Sequence, residues 1–420
     1  MIKRKQLIRF TCINILIYFI TFKVLLPIIC SSWPYSHYFS WSSEKQLRKK
    51  AILQNEQRSK EAANIISSLD SSLNVKHYAS LLNKSCELTI ILITTPRSDE
   101  MGRSLKYVYQ SVVSVHHQLQ QQTTFNCISL QLCDVNIEQN TDLTELKKYF
   151  PIKHGYGDKQ DSGIRDREAL KDSPRKFKET KDYGYCLQAA LKTGAEYVLV
   201  LEDDAVLRQN SLQTLEYIIK TKLKVIYEHR TDSDVDKRDW LYINLFHPRN
   251  WQGFSKSGSD YRGLYLTVVE IVSYSYVGAS LVLLAVWVVY RSSLNMYYWL
   301  VLLSGCVYVV VLVYMVGRPH LLELYGVSKH LHKVFSPAYG CCTPAILFQS
   351  RLAGGFVSYL NSDAVVESSD PIDLVLDRYA KTNMLDTFGV EPNLVTHIGM
   401  VSSVKLFRAI YARDFVDLQF

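Results

Sequence analysis

The stretch Tyr197-Val198-Leu199-Val200-Leu201-Glu202-Asp203-Asp204 decides how this chain folds. Its first five residues are apolar and rich in β-branched and aromatic types, with no polar member to face solvent, so they predict a buried strand. Three carboxylates follow at once, and then Ala205-Val206-Leu207. The acids therefore stand at the C-terminal edge of a sheet, where open α/β folds bind their ligands. Adjacent acids repel one another, and burying them unpaired is costly. A hard divalent cation relieves both penalties through carboxylate oxygens. The plainer alternative is a helix cap after a strand, since Asp is a common N-cap residue.

On the N-terminal side, Leu88–Thr94 is a second apolar, β-branched strand, closing on Thr95-Pro96-Arg97. A helix over residues 104–120 follows, then a strand over 128–132 that ends at Cys133-Asp134. Residues 153–179 are polar and rich in Gly, Lys and Asp, which predicts a loop. A helix over 182–192, stopped by Gly194, leads into the acidic strand. Beyond it come a helix over 209–228 and a strand over 240–246. Strands alternating with helices give an α/β fold with a mostly parallel sheet. Further on, Ala345–Gln349 reads as a strand, and residues 351–356 carry the flexible pair Gly354-Gly355. Asp370 as N-cap and Pro371 at the first position open a helix over Ile372–Thr382. There is no GxGxxG and no GxxxxGK[ST], which argues against a dinucleotide Rossmann site and a P-loop.

Three apolar stretches fall outside this soluble pattern. Residues 10–30 follow Lys3, Arg4, Lys5 and Arg9 and are long enough to span a bilayer, with Lys23 able to snorkel. A poor cleavage site at Ser31-Ser32-Trp33-Pro34 favours an uncleaved signal anchor over a cleaved signal peptide. Residues 271–290 and 296–316 are separated only by Arg291-Ser292-Ser293-Leu294-Asn295, so they predict a transmembrane hairpin. Tyr274, Tyr276, Tyr297, Tyr298 and Trp299 suit the membrane interface. The expected organisation is a cytosolic tail (1–9), an anchor (10–30), a helical stem (31–80), a lumenal domain in two parts (81–264 and 318–420) and a hairpin (265–317) that interrupts it. Asn83-Lys84-Ser85 is an N-glycosylation sequon on the lumenal side.

Of nine cysteines, Cys12, Cys30 and Cys306 fall in the apolar stretches. That leaves Cys86, Cys127, Cys133, Cys186, Cys341 and Cys342, an even number that predicts disulfides in an oxidising lumen with the pairing open. No CxxC pair suggests zinc. The net charge of +8 owes part of its size to the basic N-terminus and forms no aromatic-basic stripe, which argues against nucleic acid as a partner.

The acidic strand, the helix start Lys181-Asp182-Tyr183 and the distant Val395-Thr396-His397-Ile398-Gly399 together resemble a GT-A glycosyltransferase. The strand, helix and Glu-Asp-Asp spacing is similar to the N-acetylglucosaminyltransferase IV group. The hairpin inside the domain, with Asn244-Leu245-Phe246-His247-Pro248-Arg249-Asn250-Trp251-Gln252-Gly253 before it and Tyr339-Gly340-Cys341-Cys342-Thr343-Pro344 after it, resembles the narrower family of Golgi GPI-glycan N-acetylgalactosaminyltransferases. The motif departs from strict DxD in having Glu first.

That resemblance implies a Golgi membrane enzyme that moves GalNAc from UDP-GalNAc to the mannose core of GPI anchors with inversion, using a manganese ion (Mn2+). In this sequence Asp204 is the main implied metal ligand, with Glu202 and Asp203 contacting the metal or the ribose of the donor and His397 completing the metal shell. Thr95, Arg97 and Asp134 stand at strand ends to meet the uridine. An inverting transfer needs a carboxylate base, and Asp373 is the first choice, with Asp377 one helical turn on. Trp251 is placed to stack on an acceptor sugar. The alternatives are a transferase of another sugar, such as GlcNAc onto N-glycans, and a membrane scaffold whose acids form a surface cap.

Overall fold

The computed structural model describes residues 2–97 except 70 and 83, then 104–121, 125–136, 140–155, 175–228, 239–253, 268–280, 284, 298–362 except 339 and 341, 365 and 370–400. Ten strands are described: β1 (Leu88–Thr94), β2 (Ile128–Asp134), β3 (Ile152–His154), β4 (Tyr197–Glu202), β5 (Ala205–Leu207), β6 (Trp240–Asn244), β7 (Lys333–Phe335), β8 (Ala345–Gln349), β9 (Asp386–Glu391) and β10 (Val395–His397). Eight form one sheet in the order β3-β2-β1-β4-β8-β6-β9-β7, while β5 and β10 pair as a separate antiparallel ribbon. Six strands of the large sheet run one way, and only β8 and β7 run against them. The mostly parallel α/β sheet anticipated from the sequence is present.

The helices that matter here are α1 (Ile2–Phe19), α2 (Trp41–Ser68), α3 (Ser71–Leu82), α4 (Tyr107–Gln120), α5 (Arg175–Leu191), α6 (Ser211–Tyr217), α7 (Tyr298–Val316), α8 (Ser350–Leu360) and α9 (Ile372–Thr382). Every residue of β1 is buried, because both faces of the sheet are covered. Leu88, Ile90 and Leu92 pack with Val108, Val112 and Leu215 on the α4 and α6 side. Ile91 and Ile93 pack with Leu187, Phe356 and Val375 on the α5, α8 and α9 side. The period of two along the strand thus divides the core into two layers.

Several elements differ from the sequence expectation. The stretch 153–179 holds the end of β3 and the first turn of α5, which starts at Arg175 rather than at Asp182. Charge density hides that start, yet the helix is held there by Lys178 donating to the Val135 carbonyl at 2.9 Å and by its pairing with Asp182. Gly354 and Gly355 lie inside α8, not in a flexible link. Pro371, not Asp370, is the residue preceding α9. The stretch 31–80, read as a stem, holds α2 and most of α3, and α2 lies along the domain: Gln110 donates to Asn55 Oδ1 at 2.8 Å and to Ser59 Oγ at 3.0 Å, and Ile66 enters the core.

Helix α1 runs on through a π-helical turn, Ile20–Leu25, to Cys30, and Thr11–Cys30 is long and apolar enough to cross a membrane. It packs along α7, with Tyr18 Oη donating to the Ser304 carbonyl at 2.7 Å and Ser304 Oγ donating to Asn14 Oδ1 at 2.9 Å. Residues 268–280 are helical, and Gly278 leaves room there for Val309 of α7. The expected hairpin turn between these helices, including Arg291, lies outside the described residues. At Gly317 the chain bends by 101° into Arg318–Val327. That position needs glycine twice over, since its φ is +92° and a Cβ would meet the Tyr35 carbonyl at 2.5 Å.

Two disulfides between described residues brace the sheet domain, Cys86–Cys127 and Cys133–Cys186. The second ties α5 to the end of β2. Cys342 is also disulfide-bonded, while Cys341 and the sequon residue Asn83 lie outside the described residues. Cys12, Cys30 and Cys306 are free.

Candidate active site

β1 and β4 are neighbours, yet β1 leads to β2 on one flank while β4 stands on the other, so the strand order turns at this pair. A crevice at the C-terminal ends of such strands is where α/β sheets hold ligands. β4 ends here in Glu202, and β1 ends in Thr94. Asp203 and Asp204 form the tight turn into β5, and β10 returns antiparallel to β5 with His397 opposite Ala205. The ribbon thereby carries His397 back to Asp204 across 193 residues of sequence, with Nε2 and Oδ2 3.0 Å apart.

Arg97 is the hub. Its Nη1 donates to Asp204 Oδ2, its Nη2 pairs with Asp203 Oδ1 at 2.9 Å, and Nη2 lies 3.9 Å from Glu202 Oε2. The backbone N–H of Thr95 donates to Asp203 Oδ2 at 3.0 Å. The strand-end residues assigned to the uridine therefore include two that touch the acids themselves. Asp134, the third, lies opposite Thr94 in the sheet register, accepts from Asn136 Nδ2 at 2.6 Å and stands 3.2 Å from His154 Nδ1. Ser111 of α4 fixes the turn by donating to the Asp203 carbonyl at 2.7 Å, and Thr343 donates to Glu202 Oε1 at 3.1 Å. Gly399 is crowded against the Asp204 carboxylate, closer than any side chain would permit.

The charges do not balance among these groups. Asp203 and Asp204 are buried, and Glu202 is about a quarter exposed. Burial pushes Asp203 up to about 7 despite Arg97 beside it. Burial and repulsion from Asp204 raise Glu202 as well. For Asp204 burial acts in the same direction, but Arg97 and His397 outweigh it and hold the carboxyl well below its usual range. Burial alone would lower His397, yet the Asp204 carboxylate raises it overall. One guanidinium and one imidazole thus face three crowded carboxyl groups, and a divalent cation would relieve the crowding that holds Asp203 and Glu202 up.

The donor set fits such a cation chemically. Asp204 Oδ1 is buried with no hydrogen-bond partner, an oxygen left over once Oδ2 has served Arg97 and His397. Among the described residues no three His, Cys, Asp or Glu side chains are already drawn together as a ligand shell. Arg97 occupies the side of the cluster that the carboxylates share.

The two base candidates lie on one face of α9, and they differ in their surroundings. Asp377 is paired with Lys381 at 2.6 Å. Asp373 accepts from the Cys342 backbone N–H at 3.4 Å, next in sequence to the Thr343 that holds Glu202. Glu179 of α5 joins this neighbourhood and was not legible in the sequence: burial first, and then repulsion from Glu202 and Asp373, push it up to about 8. Its place in a charged, polar stretch conceals it. Thr343 was visible only as a member of the run 339–344. Trp251 is half-buried in a 3₁₀ turn, Arg249–Trp251, and Gln252 beside it bonds to Asn393.

The family described as GPI-N-acetylgalactosamine transferase PGAP4 matches residues 88–396, from the first residue of β1 into β10. The match takes in the acidic turn, β5, the first two residues of β10 and both flanks of the apolar interruption, and it stops one residue before His397. It covers well over half of the chain, so the chain belongs to the GPI-N-acetylgalactosamine transferase PGAP4 family.

Proposed function

We propose that this protein is a membrane-embedded, GT-A-like glycosyltransferase of the Golgi that transfers GalNAc from UDP-GalNAc to the mannose core of a GPI glycan, with inversion. The observation that carries this reading is the run Glu202-Asp203-Asp204 at the sheet's switch point, both aspartates buried, joined to His397 through the β5–β10 ribbon. Asp204, through its spare Oδ1, would hold a Mn2+ ion with Glu202 and His397. Bound there, the ion supplies Lewis-acid stabilisation of the departing diphosphate. Arg97 adds a fixed positive charge at the same edge, suited to the same developing charge. Thr95 and Asp134, at neighbouring strand ends, border the space for the nucleoside.

In the transfer, the acceptor hydroxyl oxygen forms a bond to the sugar C1 as the C1–phosphate oxygen bond breaks, and the hydroxyl proton passes to a carboxylate. Asp373 is the better placed base. Asp377 is engaged by Lys381, whereas Asp373 accepts from the Cys342 backbone N–H, next in sequence to the Thr343 that holds Glu202. Trp251 and the neighbouring turn border the acceptor side. The apolar helices α1, 268–280 and α7 would sit in the bilayer, so that a glycan near a lipid head meets the site at a fixed height.

The donor is tested by hydrolysis of UDP-GalNAc against UDP-GlcNAc by the full chain in detergent with Mn2+. Preferential release of UDP from UDP-GalNAc is expected. Preference for UDP-GlcNAc would move the protein to the N-acetylglucosaminyl reading.

A further inference from the structure

One buried ion cluster ties the apolar helices to the sheet. Arg318, just past Gly317, donates Nη1 and Nη2 to Glu391 Oε1 and Oε2 at 3.0 and 2.7 Å. Its Nε donates to Glu270 Oε2 at 2.7 Å, and Nη1 also reaches the Gln252 carbonyl at 2.9 Å. Lys333 Nζ pairs with the other Glu270 oxygen at 2.9 Å. Glu270 belongs to helix 268–280, Arg318 follows α7, and Glu391 is the last residue of β9. The outer ends of both apolar helices therefore meet at Arg318, whose fork holds Glu391 of the sheet.

From Glu391 the contacts run into the site ribbon. Asn393 Oδ1 accepts from the His247 N–H at 2.9 Å and from Gln252 Nε2 at 3.0 Å, and its Nδ2 donates to the His247 carbonyl at 2.9 Å. Arg208, directly after β5, donates to the Asn393 carbonyl at 3.1 Å and pairs at 2.6 Å with Glu323, on the segment that follows Arg318. The β5–β10 ribbon is clamped at this end, and its other end carries Asp204 and His397. A buried ion pair is a poor source of stability compared with apolar packing. A guanidinium–carboxylate fork does fix both distance and rotation, which a single ammonium cannot.

We propose that Arg318 and Glu391 are positioning residues that set the β5–β10 ribbon, and so the donor site, at a fixed orientation to the apolar helices for an acceptor carried on a lipid. This rests on the reading above that those helices lie in the membrane. The test uses the full chain in lipid vesicles, with R318K, which keeps the charge but not the fork, and E391Q, which keeps a neutral hydrogen-bonding partner. Transfer is measured to one GPI glycan in two forms, lipid-anchored in the same vesicles and freed of its lipid. We expect both variants to act on the free glycan within about twofold of wild type and to lose about tenfold or more on the anchored one, the scale at which small misplacements tell. Equal losses on both acceptors, or no loss on either, would overturn the proposal. So would a failure of both variants to fold, which would make the pair a structural brace. UDP release from donor alone separates this from the functional reading: if wild type releases UDP but transfers to neither form, the acceptor assignment falls and takes this inference with it.

Discussion

Gly399 shows how closely the acid cluster is drawn together. A Cβ there would overlap the Asp204 carboxylate and stand 3.0 Å from Arg97 Nη1. Gly399→Ala should therefore weaken UDP-GalNAc binding by roughly tenfold or more, about 1.4 kcal/mol, while the fold survives. Titration of donor into the variant measures this, and an unchanged Kd would show that Asp204 is not where the donor is gripped. His247 is a second residue with a measurable consequence. It is fully buried, 5.2 Å from the Phe335 ring, and burial pushes its imidazole down from 6.5 to about 3. Between those values the unfolded chain binds a proton that the folded chain refuses. This ring's contribution is thus complete above pH 6.5 and falls by about 1.4 kcal/mol per unit as pH drops toward 3. Denaturant titrations at pH 7, 5.5 and 4.5 should show a shallower acid loss in His247→Gln than in wild type; equal slopes would contradict the assignment.

At the scale of the elements, α8 offers a controlled comparison. Gly354 has nothing within 4 Å of where a Cβ would stand, whereas Gly355 faces Tyr379 Oη at 2.6 Å, and Tyr379 is itself wedged against Phe356 and Tyr359. Gly354→Ala should stabilise the protein by about 0.5–1 kcal/mol through helix propensity. Gly355→Ala should yield none of that gain, as read by thermal melts of the two variants side by side. The pair also explains a limit on the sequence reading. Two glycines in a row signal flexibility when only propensity is visible, and the aromatic ring that demands one of them arrives from α9. Strands β1, β4 and β8 were legible because each is built mainly of apolar residues buried on both faces. β9 was not, since it opens on Asp386, closes on Glu391 and carries Gly389 in its middle. That glycine is required by Phe335 and His247, which crowd its Cα from other elements. The start of α5 was hidden for a related reason, as Lys178 is held by the Val135 carbonyl just past β2 and the helix's own first turns read as solvated charge.

Across the whole molecule, the acidic turn and His397 were legible as a motif, but the reason they meet is topological. Antiparallel pairing of β5 with β10 brings them together, and neither strand is long enough to announce itself by pattern. Arg97 as the counter-charge of the triad was less visible still, because it depends on β1 lying beside β4. The disulfide pairing was open for the same reason: Cys133 and Cys186 are joined only once α5 is laid across the end of β2. The ion cluster at Arg318 completes this picture, since it unites Gln252, Glu270, Arg318, Lys333 and Glu391 from five separate places in the chain. The central claim is that Asp204 and its neighbours form a metal-assisted donor site. Its most direct test is binding of UDP-GalNAc to the full chain in detergent, with and without Mn2+, alongside Asp204→Ala. Binding that requires the metal and disappears in the variant is the result this account predicts. A folded wild-type protein that binds no UDP-GalNAc, or binds it equally in the variant and without metal, would contradict it.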